Sequence, residues 1–496
     1  MRRARRLTRE QPALVAITAI VVLGGVLRFS TLGLQSYRYD EAVTAIRVIH
    51  PSLFSTLSAV PRSESSPPLY YVLAWIWSRP FGVGEVGLRS LSALAGTTAI
   101  AVVYLAAARF HTRRVGLIAA AIVAVNPVLI WFSQDARAYA LVFLLTSLSL
   151  LFFARALRAT ERAPKGALIG WAACSALALA THYFAAFVVA PEAVILLWRL
   201  GLRRQLLVAC ACVAAAGALL IPIAVQQSAH GRAGWIGREP LGKRLERFAA
   251  KVVGDDNGDE HGVRPAGPLP LALPLGLAVA ALGLAAMLAR DAERAAAGPV
   301  IWIAAAAVAG PLLLAAVGSD YFVGRNMLPV FVPLVILIAA GFGVRRAGAV
   351  GLGMAAGFCL AGLAFSIQID RLARYQREDL ANAARQIGPP RGTRAVVTVD
   401  NFADWPLMFY LHAQRARRPL PPLREIDLVG SASNAARYGG RLLPHRFRPV
   451  ESEPVSWSFT LTRFRSAVSQ SVPLRVLEQG RLVGSGRAAA VLVQRG

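Results

Sequence analysis

At 496 residues, with 56% hydrophobic and only 16% charged residues, the chain is too apolar for a soluble protein of its length. The apolar residues fall in long unbroken blocks and mean hydropathy is +0.51, which points to membrane-spanning helices. The net charge of +27 would suit nucleic-acid binding if it covered one surface, but much of it sits in short clusters between apolar blocks, where it orients helices instead.

The first residues include Arg2, Arg3, Arg5, Arg6 and Arg9, and an apolar stretch runs from Pro12 to Phe29. No small-residue cleavage site follows it. The expectation is a retained first span, about 13–32, with its N-terminus in the cytoplasm. A polar outer loop, 33–85, follows and contains Tyr39, Asp40 and Glu41. Within it, Ala42 to His50 and Leu69 to Trp77 read as helices lying at the interface, a depth that suits Tyr70, Tyr71, Trp75 and Trp77.

Further spans are expected at about 86–108, 115–131, 140–157 and 167–180, then in a stretch returning to Arg199. They continue at about 206–225, before Arg290, at about 300–317, before Arg345 and at about 347–367. Basic clusters such as Arg113-Arg114, Arg203-Arg204 and Arg345-Arg346 close the inward-going spans, as the positive-inside rule requires. The result is an α-helical polytopic membrane protein of about eleven transmembrane helices, with a transmembrane domain over 1–369 and an extracytoplasmic C-terminus.

From about residue 370 the long apolar runs stop. Arg371 to Ile387 reads as an amphipathic helix, Arg394 to Asp400 as a strand, Pro406 to Gln414 as a helix and Arg424 to Val429 as a strand. Further short strands are expected in Ser456 to Arg463 and Ala488 to Gln494. Residues 370–496 are enough for a small extracytoplasmic α/β domain with its own core. Cys174, Cys210, Cys212 and Cys359 lie inside apolar runs and are expected neither to pair nor to bind metal.

The polar clusters of interest all fall at expected outer ends: Asp40 and Glu41, Arg137 and Tyr139, His182 and Tyr183, and Tyr321 to Arg325. Adjacent carboxylates near a membrane surface are costly and invite a functional explanation, though a solvated loop would also hold them. Arg can fork onto a phosphate, and a carboxylate can take a proton from an attacking hydroxyl. Each residue also has a plainer reading. Arg137 and Arg325 could only snorkel to headgroups, His182 could be a hydrogen-bonded interfacial residue, and Tyr139, Tyr183 and Tyr321 could form part of an aromatic belt.

The loop from Gly254 to His261 is acidic but fails the EF-hand pattern. No metal ligands are assigned and no cofactor is certain, with a divalent cation left open. There is no phosphate-cradling glycine loop, zinc motif or nucleophile elbow.

Taken in order, Tyr39-Asp40-Glu41-Ala42, Ser66-Pro67-Pro68-Leu69-Tyr70-Tyr71, Arg89 after Gly84, Ser133 to Tyr139, and Thr181-His182-Tyr183 resemble the C-type membrane glycosyltransferases. The resemblance is greatest to the clan of protein O-mannosyltransferases and lipid A aminoarabinose transferases. It covers about Leu14 to Leu200 and weakens through Tyr321 to Pro333. Ser66 departs from the pattern, since many relatives carry His there.

The resemblance implies a hexosyl or pentosyl transferase, mannosyltransferase-like, in the cell membrane. It would use a polyprenyl-phosphate-sugar donor and an acceptor hydroxyl on a glycan, lipid or protein outside, with inversion at the anomeric carbon. By analogy Asp40 would be the general base and Glu41 would orient it or hold the acceptor. Arg137 and Arg325 would bind the donor phosphate, with Tyr39, Tyr139, His182, Tyr183 and Tyr321 around the substrates. A transporter or flippase of a lipid-linked sugar, or an assembly protein that binds an envelope polymer, remains as an alternative. Transporters, however, tend to place polar groups at mid-membrane on broken helices.

Overall fold

The computed structural model describes residues 2–158, 164–256, 272–399, 402–430, 447–455, 459–478 and 490–494; of 2–10 and 272 only the backbone is described. The chain forms two compact units. One holds Met1–Leu32 with His50–Arg371, the other Gly33–Ile49 with Leu372–Gly496. The sequence reading placed 33–49 in the transmembrane domain; here that stretch packs with the C-terminal residues.

In the first unit, eight helices among the described residues are long and apolar enough to cross a membrane. They are Gln11–Phe29, Glu85–Phe110, Tyr139–Leu157, Tyr183–Leu200, Arg204–Ser228, Asp291–Ala316, Gly324–Phe342 and Arg345–Arg371. Shorter apolar helices, Lys165–Thr181 and Leu273–Leu288, lie where two more spans were expected. The chain is a polytopic membrane protein.

The span expected near 115–131 is not one straight helix. It is Arg113–Val125 followed by Pro127–Ser133, bent by 62°. The cause is local. Pro127 has no N–H to give back to the preceding turn, and Asn126 caps the new helix by accepting from the Leu129 N–H at 3.1 Å. Carbonyls freed at such a break need donors, because lipid supplies none. Buried Arg28 donates to the carbonyls of Val123 at 2.8 Å and Ala124 at 3.0 Å. The Ser366 hydroxyl donates to that of Val125 at 3.2 Å.

Arg28 also donates to the Ser133 hydroxyl at 3.1 Å. Gly96 allows this approach: a Cβ there would lie 2.0 Å from Ser133 Oγ. The Gln134 amide then donates to Thr31 Oγ1 at 2.7 Å and to the Leu27 carbonyl at 3.1 Å. A buried arginine inside the first span thus anchors the segment that leads to Arg137.

The outer loop is more helical than expected. Leu53–Ser63 and Leu69–Phe81 are helices of the first unit. The expected helix over 42–50 is instead a short helix, Tyr39–Val43, running into a single π-helical turn, Thr44–Val48.

The second unit contains a six-stranded mixed sheet. Its strands are β1 Arg394–Thr398, β2 Gln414–Arg415, β3 Leu423–Gly430, β4 Arg448–Pro454, β5 Thr460–Gln470 and β6 Ala490–Gln494. The order is β2-β6-β1-β3-β5-β4, with β1 and β3 parallel. The expected strands at 394–400, 424–429, 456–463 and 488–494 correspond to β1, β3, β5 and β6. β4 was not foreseen, because its burial pattern is almost wholly exposed and carries no alternation to read. The helix expected over 371–387 is divided. The last span runs to Arg371, and a separate helix Leu380–Ile387 is capped by Asp379.

One apolar cluster of this unit includes Leu380, Val396, Leu407 and Leu461; another includes Ala395, Val397, Leu428 and Phe464. Alternation along β1 explains why successive residues enter different clusters.

Candidate active site

In the first unit the site is built around a buried carboxylate. Glu64 follows the helix Leu53–Ser63, and the turn through Pro67 and Pro68 opens the next helix, bringing Tyr71 back to it. The Tyr71 hydroxyl donates to Glu64 Oε2 at 2.7 Å, and Arg137 Nη1 lies 2.6 Å from the same oxygen. The Arg137 guanidinium also lies 5.9 Å from the Tyr71 ring centroid. Burial, with the Glu64 carboxylate reinforcing it against the pull of Arg137, holds the Tyr71 phenol well above its usual range. Arg232 donates to the main-chain carbonyls of Glu64, at 2.6 Å, and Arg62.

His182 ends the helix Lys165–Thr181 and caps the following turn, its Nδ1 accepting from the Phe184 N–H at 3.2 Å. Its ring lies 6.1 Å from that of Tyr139, which in turn packs edge-on against Phe132. Burial, then the guanidinium groups of Arg325 and Arg137, hold the imidazole down to about 4, with an Asn326 hydrogen bond acting the other way. His182 is therefore a neutral group between two cations at neutral pH. Tyr183 turns elsewhere: its hydroxyl donates to Gln227 at 2.9 Å, and Gln227 donates to the Ser66 carbonyl at 3.0 Å.

Arg325 sits on the 3-10 turn Gly324–Met327, 5.2 Å from the Trp235 ring centroid. Tyr321 takes part through its main-chain carbonyl, which accepts from the Asn326 amide at 2.9 Å. The segment before the turn is pinned by Arg244, which forks onto Asp320 at 2.7 and 2.6 Å and donates to the Phe322 carbonyl at 2.8 Å. That fork holds the Asp320 carboxyl below its usual range. Arg137, Tyr139, His182 and Arg325 thus gather in one polar group, while Tyr183 and the Tyr321 carbonyl border it.

The carboxylate pair belongs to the second unit. Tyr37 is fully buried, its ring edge-on to Phe409 at 5.2 Å, and its N–H donates to the Tyr410 hydroxyl at 2.7 Å. Tyr39 packs edge-on against Phe402 at 5.4 Å. Between these anchors and the π-helical turn, Asp40 and Glu41 occupy the first turn of the helix Tyr39–Val43, where negative charge is favoured.

The two carboxylates differ. Glu41 is fully buried; its Oε2 accepts from the Arg38 N–H at 3.0 Å and from Arg377 Nη1 at 3.1 Å. Arg377 is fixed in turn, its N–H donating to Gln35 at 2.9 Å. Asp40 is only half-buried.

Elsewhere, Asp256 forms a buried ion pair with Lys251 at 2.8 Å. The rest of the acidic loop, 257–261, lies outside the described residues.

Glu64, Trp235, Asn326 and Arg377 are not among the site residues expected from the sequence. Glu64 had a signal, an acid directly before the Ser-Ser-Pro-Pro turn. Arg377 had none, since it lies 336 residues from Glu41.

A sequence profile of the dolichyl-phosphate-mannose-protein mannosyltransferase family matches residues 65–226, a stretch that includes Tyr71, Arg137 and His182. No curated protein matches by sequence. Among solved structures, the chain is similar to ArnT from Cupriavidus metallidurans in the apo state, at 14% identity and a TM-score of 0.56, covering 92% of this chain and 98% of that one. The same protein bound to undecaprenyl phosphate matches at 14% identity and a TM-score of 0.55, covering 91% and 97%. At such identity the likeness is one of fold, and it runs through both units. The fold of this chain is that of the C-type membrane glycosyltransferases.

Proposed function

We propose that the chain is an inverting glycosyltransferase that moves a sugar from a polyprenyl-phosphate donor to an acceptor hydroxyl on the extracytoplasmic face. The observation that carries this reading is the gathering of Arg137, Arg325 and neutral His182 in a chain with the fold of ArnT. A structure of ArnT holds undecaprenyl phosphate, a ligand whose anionic head suits guanidinium groups.

In this reading Asp40 takes the proton from the acceptor hydroxyl. The hydroxyl oxygen bonds to the anomeric carbon while the bond from that carbon to the phosphate oxygen breaks. The phosphate leaves with the electron pair as polyprenyl phosphate, its charge met by Arg325 and Arg137. Fixed cations where charge develops are most effective in a water-poor place. Glu41, engaged by Arg377, positions Asp40.

Purified protein supplied with a radiolabelled undecaprenyl-phosphate sugar tests the reading. Transfer of label to an acceptor extract with release of undecaprenyl phosphate supports it. Movement of intact donor across vesicles without release would favour a flippase instead.

The same reading sets the topology. Basic clusters after the inward-going helices put the N-terminus in the cytoplasm and 372–496 outside. In a background without the four native cysteines, His230→Cys and Arg391→Cys should react with a membrane-impermeant maleimide in intact cells. Lys165→Cys should react only after permeabilisation. The reverse pattern would invert the topology.

A further inference from the structure

The second unit contains a cavity of about 470 Å³, lined among others by Ile46, Phe409, His412, Gln414, Arg415 and Arg417. Small-ligand sites typically run from about 300 to 1,000 Å³. Its wall comes from the π-helical turn that continues the Asp40-Glu41 helix, from the helix Asp404–Tyr410, and from the bend into β2. Single π-helical turns are frequent where a backbone has been adapted to a functional site. His412 takes a left-handed backbone at φ 50° because it ends the helix Asp404–Tyr410: its N–H donates to the Phe409 carbonyl and the Ala413 N–H to that of Met408.

Among the described residues the lining includes two guanidinium groups and an imidazole, and no carboxylate. The guanidinium groups of Arg47 and Arg415 lie 5.6 and 4.9 Å from the Trp405 ring centroid. Arg415 also pairs with Asp404, so one charge is partly answered. Arg417 is exposed, and no carboxylate among the described residues pairs with it. Against these polar groups stand Ile46, Met408 and Phe409, an apolar wall.

We propose that this cavity binds an acidic saccharide of the acceptor, and that the acceptor is therefore an anionic glycan. Arg417 and Arg415 take its carboxylate or phosphate by charge-assisted hydrogen bonds. Phe409 and the apolar wall take the face of the sugar ring. The assignment of this ligand as acceptor rests on the glycosyltransferase reading; the binding itself does not.

Isothermal titration of the full-length protein in detergent tests the binding, with trigalacturonate, glucose 6-phosphate, maltotriose and inorganic phosphate as probes. At least one acidic saccharide should bind ten-fold or more tighter than either maltotriose or inorganic phosphate. Arg417→Glu, at an exposed position, should weaken that binding ten-fold or more with no change in melting temperature. Equal affinity for maltotriose or for inorganic phosphate, an unchanged affinity in Arg417→Glu, or no binding of either acid would overturn the proposal.

A parallel measurement separates the two readings. Release of undecaprenyl phosphate from the sugar donor by the wild-type protein is followed with an acceptor extract present. Release with no Arg417-dependent binding removes the saccharide site and keeps the transferase. Arg417-dependent binding with no release from any sugar donor does the reverse.

Discussion

Asp40→Asn lowers sugar transfer by about 10²–10⁴-fold, the range that a positioned general base contributes, and leaves donor binding and melting temperature near wild type. The amide has nearly the same shape as the carboxylate but cannot accept the acceptor's proton. Asp40 is suited to the part because it is half-buried, whereas Glu41 is fully buried against Arg377 at 3.1 Å. Glu41→Gln should therefore fail differently. It leaves Arg377 without its counter-charge, and removing one partner of a buried pair costs about 3–5 kcal/mol. A lowered melting temperature with residual turnover above that of Asp40→Asn is the expected pattern. Steady-state release of undecaprenyl phosphate, read beside thermal melts, distinguishes the two. Near-normal turnover in Asp40→Asn would remove the base assignment.

Arg325→Ala lowers turnover by about 10²–10³-fold, the loss typical when one fixed donor to a developing anion is removed. Arg325→Lys recovers part of this, since the charge remains but the planar fork does not. The Ala variant should also need more donor for half-saturation. Arg137 needs a different design. Its Nη1 lies 2.6 Å from Glu64 in a buried pair, so Arg137→Ala alone would strand that carboxylate and mix instability with lost chemistry. The double variant Arg137→Ala with Glu64→Gln removes the cation without stranding a charge, and its turnover should still fall. Single-turnover kinetics at saturating donor make the comparison. Unchanged turnover and donor affinity in Arg325→Ala would leave that arginine as an interfacial anchor.

Several features could be read from the residues in order. Apolar blocks report spans because every backbone group in lipid must be satisfied within its own helix, so long local runs of hydropathy suffice. The strands β1 and β6 were legible for a similar reason, being short runs rich in apolar and β-branched residues. The pair Asp40-Glu41 stood out because two carboxylates beside a membrane are expensive wherever they sit.

Other features were settled only by tertiary structure. The bend at Asn126 is signalled by Pro127, but its stability depends on Arg28, whose donors reach the freed carbonyls across 95 and 96 residues. Arg28 in the sequence is one basic residue at the end of an apolar run. The unequal burial of Asp40 and Glu41 depends on Arg377, and the partner of Arg137 depends on the turn that returns Tyr71 to Glu64. A local pattern carries the cost of placing a charge near lipid. Which counter-charge answers it is set by side chains distant in sequence, and only folding brings those together.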